Sequence, residues 1–238
     1  MATTGTVEVA VFDVLGTMVD QPGGLRNAIR EVLTPADEAT VDRLLADWEE
    51  YVAHEEGRVA RGERPYANSA VLDREAVERL AGRAGLTDPD AVELLATANQ
   101  RLAPWEDSLS GLAALARLFP VVGLTNAGRA TLLRLNAHSG LRWHQALSAE
   151  DARAFKPADA VYQLAIDTAD CPPDRMVMIA AHAWDLRGAQ GLGMRTAYVH
   201  RPGGDAPTDA DTFDWRVGGL EELAAVLAPF APVRESST

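Results

Sequence analysis

Apolar and polar positions along the chain predict alternating strands and helices on either side of a long helical region. Residues 7–12 form an apolar, largely β-branched run that ends at Asp13, a pattern typical of a strand buried on both faces of a parallel sheet. From about residue 20 to residue 101 the apolar residues recur at helical spacing, and no strand pattern occurs. We therefore expect a bundle of helices inserted directly after the first strand.

The rest of the chain alternates between the two patterns. Helices are predicted over 110–118, from 130 onward, and over 157–169, 184–192 and 220–227; strands are predicted over 121–124, 146–148, 176–180 and 196–199. Such alternation is typical of a parallel sheet with right-handed crossovers. We predict an α/β fold with a doubly wound, mostly parallel core sheet in residues 1–19 and 102–238, and an all-helical domain in residues 20–101. The tail 234–238 is expected to be disordered.

Net charge and cysteine content exclude several kinds of binding partner and metal site. The formal charge of −13 argues against nucleic acid and against an anionic membrane surface, because both require a basic face. Cys171 is the only cysteine, which excludes an intramolecular disulfide and a cysteine-based metal cluster. The sequence shows neither a leader pattern nor an apolar stretch of membrane length. We expect a cytoplasmic protein that acts on a small molecule.

Lys156 is the only lysine of the chain. All the other residues among the 22 Lys and Arg are arginine. A chain so rich in arginine is expected to use it wherever only positive charge matters. The single lysine therefore indicates a position that needs a compact ammonium and excludes a planar guanidinium. The alternative is that its occurrence is due to chance.

Polar residues follow the predicted strands at points that converge on one edge of a doubly wound sheet. They are Asp13 with Thr17, the turn Thr125-Asn126, Lys156, and the turn from Ala181 to Asp185. This set resembles the four motifs of the haloacid dehalogenase superfamily, in the same order and over nearly the whole chain. The resemblance implies a Rossmann-like core and identifies residues 20–101 with the superfamily's cap domain. A turn or helix cap is the alternative role for Asp13.

Two positions separate the branches of this superfamily. Its phosphatases carry a second Asp two residues after the nucleophile, where this chain has Leu15, and a metal-binding Asp where this chain has Ala181. Both replacements disfavour Mg²⁺, which prefers carboxylate ligands. The phosphonatase branch uses a cap lysine, and residues 20–101 contain none. The chain instead resembles the metal-independent type II (S)-2-haloacid dehalogenases, and we expect no cofactor.

This resemblance implies roles for the matching residues. Asp13 would attack the halogen-bearing carbon and form an ester, with Lys156 neutralising the nucleophile and an anionic substrate. Asp185 would orient Lys156 and place water. Hydrogen bonds from Thr17 and from the Thr125-Asn126 turn would hold Asp13 or the substrate carboxylate. The resemblance also suggests that the chain forms a homodimer.

Tyr162 and Trp184 match residues near the family's site. Tyr162 would contribute to the site, and Trp184 would line the substrate pocket. The alternatives are equally good: ordinary helix packing for Tyr162 and a place in the core for Trp184.

Four positions depart from the dehalogenase pattern, among them Ala180, which stands where the family has a serine. Leu15 replaces a tyrosine in the pocket, and Glu49 replaces the halide-binding arginine of the cap. Arg30, Arg58 and Arg61 are the candidates for a substitute cation. His182 replaces an asparagine, and its imidazole can serve as a general base on water or as an ordinary hydrogen-bonded histidine.

We expect hydrolytic dehalogenation of a short (S)-2-haloacid through an aspartyl ester. One alternative is an enzyme of the same fold acting on another small acid or on a phosphate ester, because Leu15 and Glu49 alter the pocket. A non-catalytic protein that retains the fold is the other.

Overall fold

The computed structural model describes residues 5–35 and 37–232. The tail that the sequence predicts to be disordered, 234–238, lies outside these residues. The strands are β1 Val9–Phe12, β2 Val121–Thr125, β3 Gln145–Ser148, β4 Met176–Ala180, β5 Arg195–Val199 and β6 Trp215–Val217. The helices are α1 Gln21–Val32, α2 Glu38–Ala60, α3 Ser69–Ala84, α4 Pro89–Ala96, α5 Ser108–Ala116, α6 Arg129–Ser139, α7 Asp159–Ala169, α8 Ala183–Gly191 and α9 Leu220–Leu227.

The six described strands form one sheet in the order β3-β2-β1-β4-β5-β6, and every neighbouring pair is parallel. This order reverses direction between β1 and β4, where Phe12 lies opposite Ile179. Open α/β sheets bind ligands beyond the carboxyl ends of their strands at such a reversal. The α/β fold predicted from the sequence is confirmed, and the sheet that was expected to be mostly parallel is parallel throughout these strands.

Both faces of the sheet are buried, which explains the continuous apolar pattern of β1. Ala10 and Phe12 pack into a hydrophobic cluster on one face, and Val9 and Val11 pack into a cluster on the other. Alternate residues of a strand point to opposite faces, so a strand covered on both sides needs apolar residues at every position.

The helices α1 to α4 pack on one another around a third hydrophobic cluster, drawn entirely from residues between Leu25 and Ala98. Their beginnings follow from the sequence: the side chains of Asp37 and Asn68 accept hydrogen bonds from the first turns of α2 and α3. The chain enters and leaves this region side by side, because the Asp20 amide donates to the Ala103 carbonyl at 2.9 Å. We call residues 20–101 the helical segment.

Two predicted elements differ from the structure. The helical pattern predicted up to residue 101 is interrupted after Ala96, where α4 ends, and one 3₁₀ turn follows over 98–100. The Thr97 hydroxyl donates to the Glu93 carbonyl at 2.7 Å, a local side-chain bond that competes with helix continuation. Residues 215–217, for which no strand is predicted, form the edge strand β6. Among the described residues, no helix combines the length and the apolar character that crossing a membrane requires.

Candidate active site

Asp13 follows β1 directly and is buried, with 7% of its side chain exposed. Its carboxylate is held from two sides. Lys156 Nζ donates to Oδ1 at 2.8 Å, and the Thr17 hydroxyl donates to Oδ2 at 2.6 Å. The Ala181 amide in turn donates to the Thr17 oxygen at 2.9 Å, which aims the Thr17 proton at Asp13. The sequence pattern predicts Asp13, Thr17 and Lys156 in one site, and the structure brings them into contact.

Lys156 connects Asp13 to a second carboxylate. Its ammonium also donates to Asp185 Oδ2 at 2.6 Å, and the Tyr162 hydroxyl donates to Asp185 Oδ1 at 2.8 Å. Asp185 and Tyr162 are fully buried in α8 and α7. Tyr162 is therefore both a core residue and a member of the site.

The charges of this group follow from its contacts. Burial alone would lower the pKa of Lys156, but Asp13 and Asp185 together raise it above its ordinary value. Lys156 therefore remains an ammonium ion. Burial raises the pKa of Asp185, while Lys156 and the Tyr162 hydroxyl oppose that rise. Burial and Asp185 raise the pKa of Tyr162, so it remains a neutral donor. One cation thus serves two carboxylates, and it is a compact ammonium as the composition indicated.

The side chains of the turn after β2 accept from backbone amides, and their expected contact with a substrate carboxylate stays a prediction. The Thr125 hydroxyl oxygen accepts from the Ala127 amide at 3.2 Å, and Asn126 Oδ1 accepts from the Lys156 amide at 2.8 Å. Neither side chain bonds to Asp13 among the described contacts. Asn126 instead fixes the backbone that carries Lys156, and Asn126 Nδ2 points towards Glu56 Oε1 at 3.5 Å.

A cavity of about 320 Å³ lies between these strand ends and the helical segment. The core contributes Asp13, Leu15, Thr125, Asn126, Lys156, His182 and Trp184 to its lining. The helical segment contributes Gln21, Leu25, Trp48, Glu49, Val52, Ala53, Glu56, Ser69, Asp73 and Asn99. A cavity of this size takes a small molecule, and both parts of the chain contribute polar groups to its lining.

His182 and Trp184 form the edge of this cavity on the core side. Their rings stack with centroids 5.8 Å apart, and Trp184 is partly exposed. His182 Nε2 lies 3.9 Å from Asp13 Oδ2 and 3.4 Å from the Leu15 carbonyl oxygen. Gly16 permits this approach, since a Cβ at Gly16 would lie 2.6 Å from His182 Nε2.

The expected substitute for a cap arginine is absent from the described lining. Arg30 pairs with Glu38, Arg58 with Glu55 and Arg61 with Glu63, and none of the three arginines lines the cavity. The prediction that one of them supplies the cation is therefore wrong, because each is engaged by an acidic residue elsewhere on the helical segment. Glu49 does line the cavity, but its side chain is exposed.

Sequence reasoning missed two acidic residues in the lining. Asp73 is buried and accepts from Trp48 Nε1 and Asn99 Nδ2, both at 3.0 Å; burial raises its pKa to about 6. Glu56 is half-buried, and burial together with Asp73 raises its pKa to about 8. Glu56 follows Glu49 by seven residues, which places both on one face of α2. That spacing was the available signal.

In residues 5–35 and 37–232, no three His, Cys, Asp or Glu side chains are grouped so that they could hold a metal ion. Ala181, which stands where the phosphatases carry a metal-binding Asp, is buried and contributes its amide to Thr17. The space between the Asp13 and Asp185 carboxylates is occupied by Lys156 Nζ.

Comparison with known proteins gives consistent matches. A family model described as haloacid dehalogenase-like hydrolase matches residues 7–193. The (S)-2-haloacid dehalogenase H-109 of Pseudomonas putida is 27% identical over 201 residues, covering 83% of this chain and 87% of its own. The (S)-2-haloacid dehalogenase 4A of Burkholderia cepacia is 26% identical, covering 94% and 96%. A crystal structure of an L-2-haloacid dehalogenase is similar with a TM-score of 0.84 and 30% identity, covering 94% of this chain and 99% of that one.

Proposed function

The chain belongs to the haloacid dehalogenase-like hydrolases, and we propose that it cleaves the carbon–halogen bond of a short (S)-2-haloacid through an ester on Asp13. The observation that carries the proposal is the position of Lys156 Nζ, 2.8 Å from Asp13 and 2.6 Å from Asp185. A buried carboxylate held by one ammonium is a nucleophile with a fixed orientation and a neutralised environment. The relatives named above are (S)-2-haloacid dehalogenases.

In the first step, an Asp13 oxygen attacks the carbon that bears the halogen. The new bond is a C–O ester bond, the C–halogen bond breaks, and the halogen leaves with the bonding electrons as halide. Halide is a stable anion that needs no proton to leave, which is compatible with the apolar Leu15 two residues after the nucleophile. Lys156 and Thr17 hold the carboxylate while it attacks.

In the second step, water hydrolyses the ester. Water attacks the ester carbonyl carbon of Asp13 and gives one proton to His182. The bond between that carbon and the substrate oxygen then breaks, the departing alkoxide takes the second proton of the water, and His182 releases its proton to solvent. The products are the 2-hydroxy acid and the regenerated carboxylate. His182 Nε2 is 3.9 Å from Asp13 Oδ2, close enough to contact a water molecule beside that group. Lys156 stabilises the oxyanion that forms at Asp13.

We propose that this reaction uses no metal or other cofactor. The support is positional: the ammonium of Lys156 stands between the two carboxylates and neutralises them as a cation would. A divalent ion bound there would have to displace a lysine whose side chain is only 1% exposed. Halide release that is unchanged by a chelator and by added Mg²⁺ is the expected result.

The central experiment measures halide release from (S)-2-chloropropionate by the wild-type protein and by Asp13→Asn. We expect release from the wild type, little from the (R) enantiomer, and a loss of about 1000-fold or more in Asp13→Asn. No release from any 2-haloacid would contradict the proposal. Release of phosphate from an aryl phosphate in the presence of Mg²⁺ would favour a phosphatase instead.

His182 is tested separately because its role belongs to the second step. We expect His182→Asn to form the ester on Asp13 but to hydrolyse it slowly, so mass spectrometry should detect the covalent adduct. A variant that turns over at the wild-type rate would contradict the general-base role.

We also propose that residues 20–101 act as a cap domain over a core made of 1–19 and 102–238, and that the protein is a homodimer. The cap is supported by the cavity, which takes its lining from both parts. The dimer follows from the family resemblance, and sedimentation equilibrium tests it.

A further inference from the structure

Glu56 lies in the wall of the cavity that the helical segment contributes. One carboxyl oxygen is 3.5 Å from Asn126 Nδ2, and Asn126 in turn accepts from the amide of Lys156. The other oxygen of Glu56 has no hydrogen-bond partner among the described residues. A free carboxyl oxygen in a substrate cavity is available to a ligand.

The groups facing Glu56 favour its neutral form. Asp73 approaches it from α3, Asp13 lines the same cavity, and Glu49 precedes it on α2. The facing cation is Lys156, which already serves two carboxylates. Two further titratable groups are nearby, His182 across the cavity and the Tyr66 hydroxyl at the end of the following loop. Burial and Asp73 raise the pKa of Glu56 to about 8, so it is mostly protonated near neutral pH.

The side from which the halogen leaves the carbon indicates which group Glu56 contacts. When the Asp13 oxygen displaces a halogen, the halogen departs from the opposite side of the carbon. Asp13 belongs to the part of the lining that the core contributes, whereas Trp48, Val52 and Glu56 belong to the part that α2 contributes. The described lining from the helical segment contains no arginine or lysine. Among its groups, Gln21 already donates to Asn99 at 3.0 Å.

We propose that Glu56, as a neutral carboxylic acid, donates a hydrogen bond to the departing halogen of the substrate. This inference rests on the proposed function and names the residue that receives the leaving group. The proton stays on Glu56 throughout, and the halogen leaves as halide. Ionised Glu56 would instead place a negative charge against an anionic substrate and a departing anion.

The test compares the wild type with Glu56→Gln, which keeps a donor but cannot ionise, and with Glu56→Leu, which has no donor. Glu50→Gln, an exposed residue of the same helix, is the matched control. For (S)-2-chloropropionate we expect wild-type kcat/KM to fall about tenfold per pH unit above about pH 8. In Glu56→Gln that decline should be absent, whereas Glu50→Gln should follow the wild type. An unchanged decline in Glu56→Gln would overturn the inference.

A second readout separates contact with the halogen from a structural role. Chloride is a poorer leaving group than bromide, so loss of a donor should matter more for the chloro acid. We expect kcat of Glu56→Leu to fall at least about tenfold for 2-chloropropionate and less for 2-bromopropionate. Equal losses for both acids would indicate a structural effect and overturn the inference.

A binding measurement keeps this inference separate from the proposed function. Bromide binding to Asp13→Asn can be followed by the fluorescence of Trp48 and Trp184, which line the cavity. We expect tighter binding near pH 6.5 than near pH 9, and loss of that difference when Glu56→Gln is added. If the wild type released no halide but this pH dependence held, only the proposed function would fail. Binding that is absent or independent of pH would overturn the role of Glu56.

Discussion

Lys156 occupies a site shaped for an ammonium ion. Its side chain is 1% exposed and bridges two carboxylates at 2.8 and 2.6 Å. A guanidinium is larger and planar, so Lys156→Arg should keep the charge but displace both contacts. We expect halide release to fall by at least about 100-fold. The control is Arg134→Lys on the exposed face of α6, which should be neutral. An active Lys156→Arg would show that charge alone suffices.

Tyr162 supplies the donor that complements buried Asp185 on the side away from Lys156. In Tyr162→Phe that carboxylate loses a partner at 2.8 Å, and an unsatisfied buried acceptor costs about 1–3 kcal/mol. We expect a lower free energy of unfolding by that amount, and slower turnover because Lys156 is held less firmly. Chemical denaturation and halide release measure the two effects. Tyr198→Phe, in β5, is the comparison, and equal losses in both variants would contradict the role of Tyr162.

At the scale of single residues, the sequence predicted the groups whose chemistry is evident from their type and missed those that depend on their surroundings. Asp13, Lys156 and Asp185 could be found because they are ionisable residues placed just after predicted strands or at the start of helices, on the edge of the sheet where ligands bind. Glu56 could not be assigned a role, because a glutamate on a helix is usually a solvated charge. Its place in the cavity lining and the neighbouring Asp73 distinguish it from such a solvated glutamate.

Helix α8, which carries Asp185, packs closely against Tyr162 of α7 at Gly188. A Cβ added at Gly188 would lie 2.4 Å from the Tyr162 hydroxyl oxygen, whereas one added at Gly191 would meet nothing within 4 Å. Gly188→Ala should therefore push Tyr162 off Asp185 and reduce halide release about tenfold or more. Gly191→Ala should leave activity unchanged. Both rates come from the same halide assay, and equal behaviour of the two variants would contradict this prediction.

Element types were predictable where apolar periodicity was strong, and their ends were not. The pattern of β4, buried on both faces, predicted its bounds correctly over 176–180. The short edge strand β6 has one buried residue in three, so it carries little signal. The end of α4 depended on a single hydroxyl at Thr97 that bonds to the backbone.

For the whole molecule, the raised pKa of Glu56 makes the folded state less stable as the pH rises. Its pKa rises from 4.5 to about 8 on folding, so the folded state binds this proton more tightly than the unfolded state. The resulting stabilisation is present below about pH 4.5 and is lost as the pH rises through about 8. We expect Glu56→Gln to have a higher Tm than the wild type at about pH 9, by roughly 2–4 °C, and a smaller difference at about pH 6.

Thermal unfolding followed by circular dichroism at both pH values checks this prediction. Glu50→Gln, exposed on the same helix, is expected to match the wild type throughout. A Tm difference for Glu56→Gln that is larger at the acidic pH would have the opposite sign and contradict the raised pKa of Glu56.

The single lysine of this chain also makes unfolding visible to amine-reactive reagents. Lys156 is shielded by the fold and engaged by two carboxylates, so an acylating reagent should modify it only when the surrounding structure opens. The rate at which the peptide containing Lys156 gains a label therefore reports opening of the active centre. No other lysine side chain competes for the reagent, so the labelling rate of this peptide measures how often the structure around Lys156 opens.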